Sequence, residues 1–147
     1  MKTRDHVIIA VLLYILSVQY LSEAAEILLS PLFPVYCLLT IVGALFPDVD
    51  WKVAKILRGF GHRNPITHSL LIPILLLFTI HRFELSQTEV LAAYNAFTLG
   101  VASHLLGDLI KTGNLVWIPK QHEDAWFIVN GVILIALLYF TGFFKIF

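Results

Sequence analysis

Histidine and aspartate recur beside the ends of apolar runs in this chain: His6, then Asp48 and Asp50, then His62 and His68 with Arg63 between them, then His104 and Asp108. These side chains bind divalent metal ions and support hydrolytic chemistry. Ionisable groups bordering stretches of membrane length are costly to place there and are functional by default. His104 and Asp108 stand four residues apart, so on a helix they share a face and can reach one ion together. The plain alternative is a hydrogen-bonded pair acting as glue between helices, although a carboxylate beside an imidazole in apolar surroundings needs compensation that an ion supplies.

The other candidates are read in context. Taken alone, Pro47-Asp48-Val49-Asp50 would leave one aspartate capping a helix and the other solvated. With histidines collected at the same level, Asp48 or Asp50 is expected to bridge ions or act as general base. In the run from His62 to Ser69, Arg63 offers a planar fork suited to phosphate, and equally fits as an ordinary membrane-flanking cation. Ser69 has no base placed beside it. His6 is either an interfacial histidine or a ligand, and His81 and His122 read as solvated.

The elements that must position these groups are membrane helices. Apolar residues make up 59% of the 147 and charged ones 14%, against roughly 45–50% and 25% in soluble domains, which excludes an ordinary water-soluble fold. A bilayer core needs about 20 apolar residues per helix. Five stretches are expected to span: Val7 to Leu21, Ile27 to Phe46, Ile66 to Ile80, Val90 to Ile110 and Ala125 to Phe144. Trp51 to Phe60 sets Lys52, Lys55 and Arg58 against Val53, Ile56, Leu57 and Phe60, a pattern for a short helix lying on the membrane surface. The fold class expected is therefore all-α: a polytopic helical bundle of about five transmembrane helices plus one interfacial helix, in one domain over residues 1–147. Asn64 before Pro65 reads as the N-cap of the third helix, placing His68 in its first turn. The stripe Ala92, Ala96 and Gly100, in line with His104 and Asp108, would let another helix approach closely and turn the ligands inward.

Charge sets the expected orientation. Lys2, Arg4, Lys52, Lys55, Arg58, Arg63, Lys111 and Lys120 fall on one side, and only Arg82 and Lys145 on the other, so the N-terminus is expected in the cytoplasm and the protein in the cell (inner) membrane. Every candidate ligand then falls at the cytoplasmic face. Trp51, Trp117 and Trp126 suit interfacial anchors. Lys2 and Arg4 ahead of an apolar run also fit a cleavable signal peptide, but cleavage would remove His6. Net charge is zero and no basic tract occurs, so no nucleic-acid partner is expected, and membrane lipids are. The single cysteine, Cys37, reads as a small core hydrophobe.

Gly43-Ala44-Leu45-Phe46-Pro47-Asp48-Val49-Asp50, His62-Arg63 followed by Thr67-His68-Ser69, and Ala102-Ser103-His104-Leu105-Leu106-Gly107-Asp108 together resemble the YdjM-type membrane proteins, from His6 to about Pro119. That resemblance implies a membrane-bound metal-dependent hydrolase, and more remotely a likeness to zinc-dependent phospholipase C and the S1/P1 nucleases, helical enzymes that cleave phosphodiesters. It would make His6, Asp48 or Asp50, His68, His104 and Asp108 the ligands. No further histidine-to-carboxylate pair at helical spacing follows Asp108, so one or two ions are implied rather than three.

The expected function is a zinc-dependent hydrolase, with manganese or iron as alternatives, acting at the cytoplasmic membrane face on a lipid or other phosphoester. Asp48, Asp50 and Arg63 are its catalytic candidates; His6, Asp48, Asp50, His62, His68, His104 and Asp108 are its metal candidates. The rival from another class is a non-enzymatic membrane protein whose structural metal site supports a protein partner. A transporter fits less well, because the polar groups gather at one face.

Overall fold

The computed structural model describes residues 3–21, 30–56, 63–85, 87–110 and 115–141. They form six α-helices, with no strand among them: α1 (Thr3–Leu21), α2 (Phe33–Leu45), α3 (Asp50–Ile56), α4 (Leu71–Arg82), α5 (Thr88–Ile110) and α6 (Glu123–Phe140). Short 3-10 turns at Pro47–Val49 and Lys120–His122 lead into α3 and α6. The all-helical expectation holds.

Helix α5 is the axis of the bundle. Its most extensive partner is α2, followed by α6 and α1. The sequence dictates this by residue size. Gly43 and Gly100 lie at the α2–α5 crossing, and a methyl group on Gly100 would run into the backbone of Thr40 and Ala44, the Ala44 nitrogen at 2.7 Å. Only hydrogen at both positions permits that approach, and Ala92 and Ala96 continue the buried stripe above it. Away from this stripe α5 builds the apolar core, where Val101, Ala102 and Leu105 pack with Phe127 and Leu134 of α6 and with Leu115. One helix thus carries a seam of small residues and polar ligands on one side and an apolar core on another.

The number of spans differs from expectation. Among the described residues two helical segments, Thr88–Ile110 and Lys120–Phe140, are long and apolar enough to cross a membrane alone, and a third crossing requires α2 and Pro47–Ile56, bent by 49°, to count as one broken span. Length accounts for part of the shortfall: Ile66 to Ile80 shrinks to the twelve residues of α4, about 18 Å of helix against a hydrocarbon core of about 30 Å, and α2 has thirteen residues. Val7 to Leu21 lies within the 19 residues of α1, whose first turn carries Arg4, Asp5 and His6. Within the stretch expected to lie on the membrane surface the chain forms α3, with Lys55 Nζ 3.7 Å from the centre of the Trp51 ring; residues 57–60 lie outside the described residues.

His68 is also placed differently. Asn64 does turn the chain, its side-chain oxygen accepting from Ile66 N at 2.9 Å and its carbonyl from His68 N at 3.0 Å, but the helix does not continue. Side chains of α6 take over the backbone groups: Trp126 Nε1 donates to the His68 carbonyl at 2.8 Å, and Leu70 N donates to Asn130 Oδ1 at 2.9 Å. The helix starts only at Leu71, so His68 sits in a hydrogen-bonded link ahead of it.

Candidate metal centre

Four chain segments deliver ligands to one end of the bundle. The first turn of α1 brings His6, the 3-10 turn after α2 brings Asp48, the link before α4 brings His68, and the last turns of α5 bring His104 and Asp108. His6, His68, His104 and Asp108 are all buried. Asp48 is partly open, its side chain 24% exposed.

Hydrogen bonds fix which nitrogen of each imidazole is free. His104 Nδ1 lies 2.8 Å from the Ala44 carbonyl oxygen, which can only accept, so Nδ1 carries the proton and Nε2 presents its lone pair. His68 Nδ1 lies 3.5 Å from Asp50 Oδ2 and 3.1 Å from Thr67 Oγ1. That same Asp50 oxygen accepts from Asn64 N at 2.8 Å and Thr67 Oγ1 at 3.1 Å. Asp50 therefore stands behind His68, turning the imidazole so that Nε2 points into the centre, the role a carboxylate plays behind a metal-ligating histidine. Burial, then the neighbouring His104, hold the His68 imidazole down to about 4, so it is neutral and able to ligate.

The atoms so exposed are His68 Nε2, His104 Nε2 and Asp108 Oδ2. Each is buried without a hydrogen-bond partner among the described residues. Asp108 Oδ2 lies 3.4 Å from His104 Nε2 and 3.7 Å from His68 Nε2. Two ligands of one tetrahedral ion, with bonds of about 2.0–2.1 Å, stand about 3.4 Å apart. These spacings suit a shared ion, and three converging orphaned lone pairs would otherwise be a heavy desolvation cost. A second group, His6, Asp48 and His104, also has ligand atoms within 4.8 Å of one another. The His6 ring stacks on that of His104, centroids 3.9 Å apart.

Arg63 closes the rim. Its φ of 62° is in the left-handed region, and its carbonyl accepts from Val116 N at 3.0 Å. The guanidinium reaches Asp108 Oδ1, with Nη2 at 3.3 Å, while Nη1 is buried with no acceptor among the described residues.

Of the residues singled out by sequence, the structure thus brings together His6, Asp48, His68, His104, Asp108 and Arg63; it sets Asp50 behind His68, and His62 lies outside the described residues. His81 and His122 are exposed and belong to neither ligand group. Sequence reasoning missed the Ala44 carbonyl, Thr67, Trp126 and Asn130. A backbone acceptor leaves no sequence signal, but Asn130, an amide within an apolar helix, does.

No curated protein and no solved structure matches the chain. A family model described as YdjM inner membrane protein matches residues 1–145, essentially the full length and all the segments that build the centre. The chain belongs to the YdjM inner membrane protein family.

Proposed function

We propose that this protein is a metal-dependent hydrolase of the membrane's cytoplasmic face, acting on a lipid phosphoester. The observation that carries the reading is the count of orphaned ligand atoms: two histidine nitrogens and one carboxylate oxygen converge on one point. Three protein ligands are the number found at catalytic zinc sites, where a fourth position stays open, whereas structural sites use four. When bound, a zinc, manganese or iron ion supplies Lewis acidity to a phosphoryl oxygen and lowers the pKa of water there.

The residues of the chain supply the rest. His68, His104 and Asp108 hold the ion, and Asp50 and the Ala44 carbonyl keep the two imidazoles aimed at it. Asp48, partly open and 3.9 Å from His104 Nε2, is placed to accept a proton from water at the rim. Arg63 supplies a guanidinium that can grip a phosphoryl oxygen. A guanidinium at the rim favours a phosphoester over other esters.

Orientation follows from the ends that meet at the centre. The starts of α1 and α6 and the ends of α2 and α5 share that end of the bundle, which also carries Arg4, Lys52, Lys55, Arg63 and Lys120. By the positive-inside rule this end is cytoplasmic, with the chain crossing more than once. One observation favours a closed structural site instead, namely the full burial of His68, His104 and Asp108.

The test is turnover of a panel of lipid phosphoesters by protein in bilayer discs supplied with zinc. Asp48→Asn should lower the rate by about 10²–10⁴-fold, and Lys52→Ala on exposed α3 should not change it. Bound ion with no turnover above Asp48→Asn would overturn the hydrolase reading in favour of the structural one.

A further inference from the structure

The two groups of ligands share His104, and His104 has only one nitrogen to give, because Nδ1 is committed to the Ala44 carbonyl. They cannot both be filled as they stand. If Nε2 serves the ion held by His68 and Asp108 Oδ2, then His6 and Asp48 are left over. The nearest further ligand is the other oxygen of Asp108, with Oδ1 3.5 Å from His6 Nε2, again close to the spacing of two ligands on one ion. Asp108 would then bridge two cation positions, as carboxylates do in two-metal sites with ions about 3.5–4 Å apart.

That second position already has a cation beside it. Arg63 Nη2 stands 3.3 Å from the same Oδ1. Charge agrees with single occupancy. Among the described residues the centre holds three carboxylates, Asp48, Asp50 and Asp108, and one guanidinium. With Asp50 set behind His68, Asp48 and Asp108 face the ion positions, and a second divalent ion beside the guanidinium would leave uncompensated positive charge in a buried site. The second position is also the less prepared. His6 Nδ1 has no hydrogen-bond partner among the described residues, so nothing fixes its ring as Asp50 and Ala44 fix the other two.

We propose that the Arg63 guanidinium stands in for a second cation at a position beside His6 and Asp108 Oδ1, so that the resting centre takes one divalent ion and a second enters only when Arg63 leaves. This rests on the metal-centre reading above. It makes Arg63 the determinant of ion number, and its release from Asp108, for instance onto an anionic substrate, the event that opens the second position.

The experiment is metal stoichiometry of the full chain in detergent, stripped and then titrated with Zn²⁺, with bound metal measured by elemental analysis after desalting. Wild type should hold one ion per chain and Arg63→Met two. Arg63→Lys, which keeps the cation, should hold one. Arg63→Met with His6→Ala should return to one. Two ions in the wild type, one in Arg63→Met, or two in Arg63→Met with His6→Ala would each overturn the proposal while leaving a metal centre in place. No ion in the wild type would overturn the metal reading itself.

Discussion

Replacing Gly100 by alanine adds one methyl group, and the structure says where it must go. The new Cβ would meet the Thr40 carbonyl, the Ala44 nitrogen at 2.7 Å and the Gly43 Cα at 2.9 Å, all rigid backbone of α2. No rotamer change relieves it, so α2 and α5 must separate by several tenths of an ångström or more. Alanine improves helix propensity by about 1 kcal/mol, while overpacking of this kind costs about 1–3 kcal/mol and more where only backbone can yield. A net loss of about 0–2 kcal/mol follows, at the upper end or beyond because only backbone can yield here. The larger consequence is local: the displaced segment contains Ala44, whose carbonyl lies 2.8 Å from His104 Nδ1, one turn below Gly100 on α5. Loosening that bond frees the imidazole, and loss of a partner behind a ligating histidine weakens metal binding by about 10–100-fold. Gly131→Ala on α6 is the control, because its Cβ would meet only Leu106 Cδ2 at 3.9 Å. It gains the same propensity without the clash and should be neutral or slightly stabilising. Thermal unfolding and zinc competition titration in detergent measure both. If Gly100→Ala matched Gly131→Ala in stability and affinity, the close crossing would not be what sets the ligand geometry.

Asp50→Asn keeps the shape behind His68 but removes the charge facing its Nδ1, and zinc affinity should fall about 10–100-fold in the same titration; an unchanged affinity would deny Asp50 its orienting role. His68 is held down to about 4 against an ordinary 6.5, so in the metal-free protein the unfolded chain takes up a proton across that window that the folded chain refuses. Its contribution to stability is constant above about 6.5 and falls by about 1.4 kcal/mol per pH unit as pH drops towards 4, so unfolding scans should show a loss between pH 6.5 and 5 that His68→Gln reduces; equal slopes would refute it. Trp126→Phe leaves the His68 carbonyl without its indole donor and should cost about 1–3 kcal/mol by denaturant unfolding, whereas Trp51→Phe on exposed α3 should cost close to nothing.

What was legible in the sequence was composition and period. The apolar fraction requires helices in a membrane, and the four-residue step from His104 to Asp108, continued by Gly100, Ala96 and Ala92, marks the buried face of α5 before any coordinates are consulted. The count of spans was not legible, because apolarity measures what a helix can touch and only length decides what it can cross. The run from Ile66 to Ile80 satisfies the first test and, as the twelve residues of α4, fails the second.

Roles within the centre needed three dimensions. Asp48 and Asp50 are two residues apart in a single motif, and composition gives no reason to separate them. The 3-10 turn and the start of α3 send one towards His104 and the other behind His68, so one is open at the rim while the other is enclosed by Asn64 and Thr67. Arg63 makes the same point with opposite consequences. As a sequence feature it is a cation near a membrane edge, equally a topology signal or a phosphate ligand. Its left-handed backbone and the bond from Val116 N to its carbonyl turn the guanidinium inward onto Asp108 Oδ1. An arginine already spent on a ligand oxygen is a competitor for that oxygen before it is a substrate grip, and the two functions can follow one another only if the guanidinium moves.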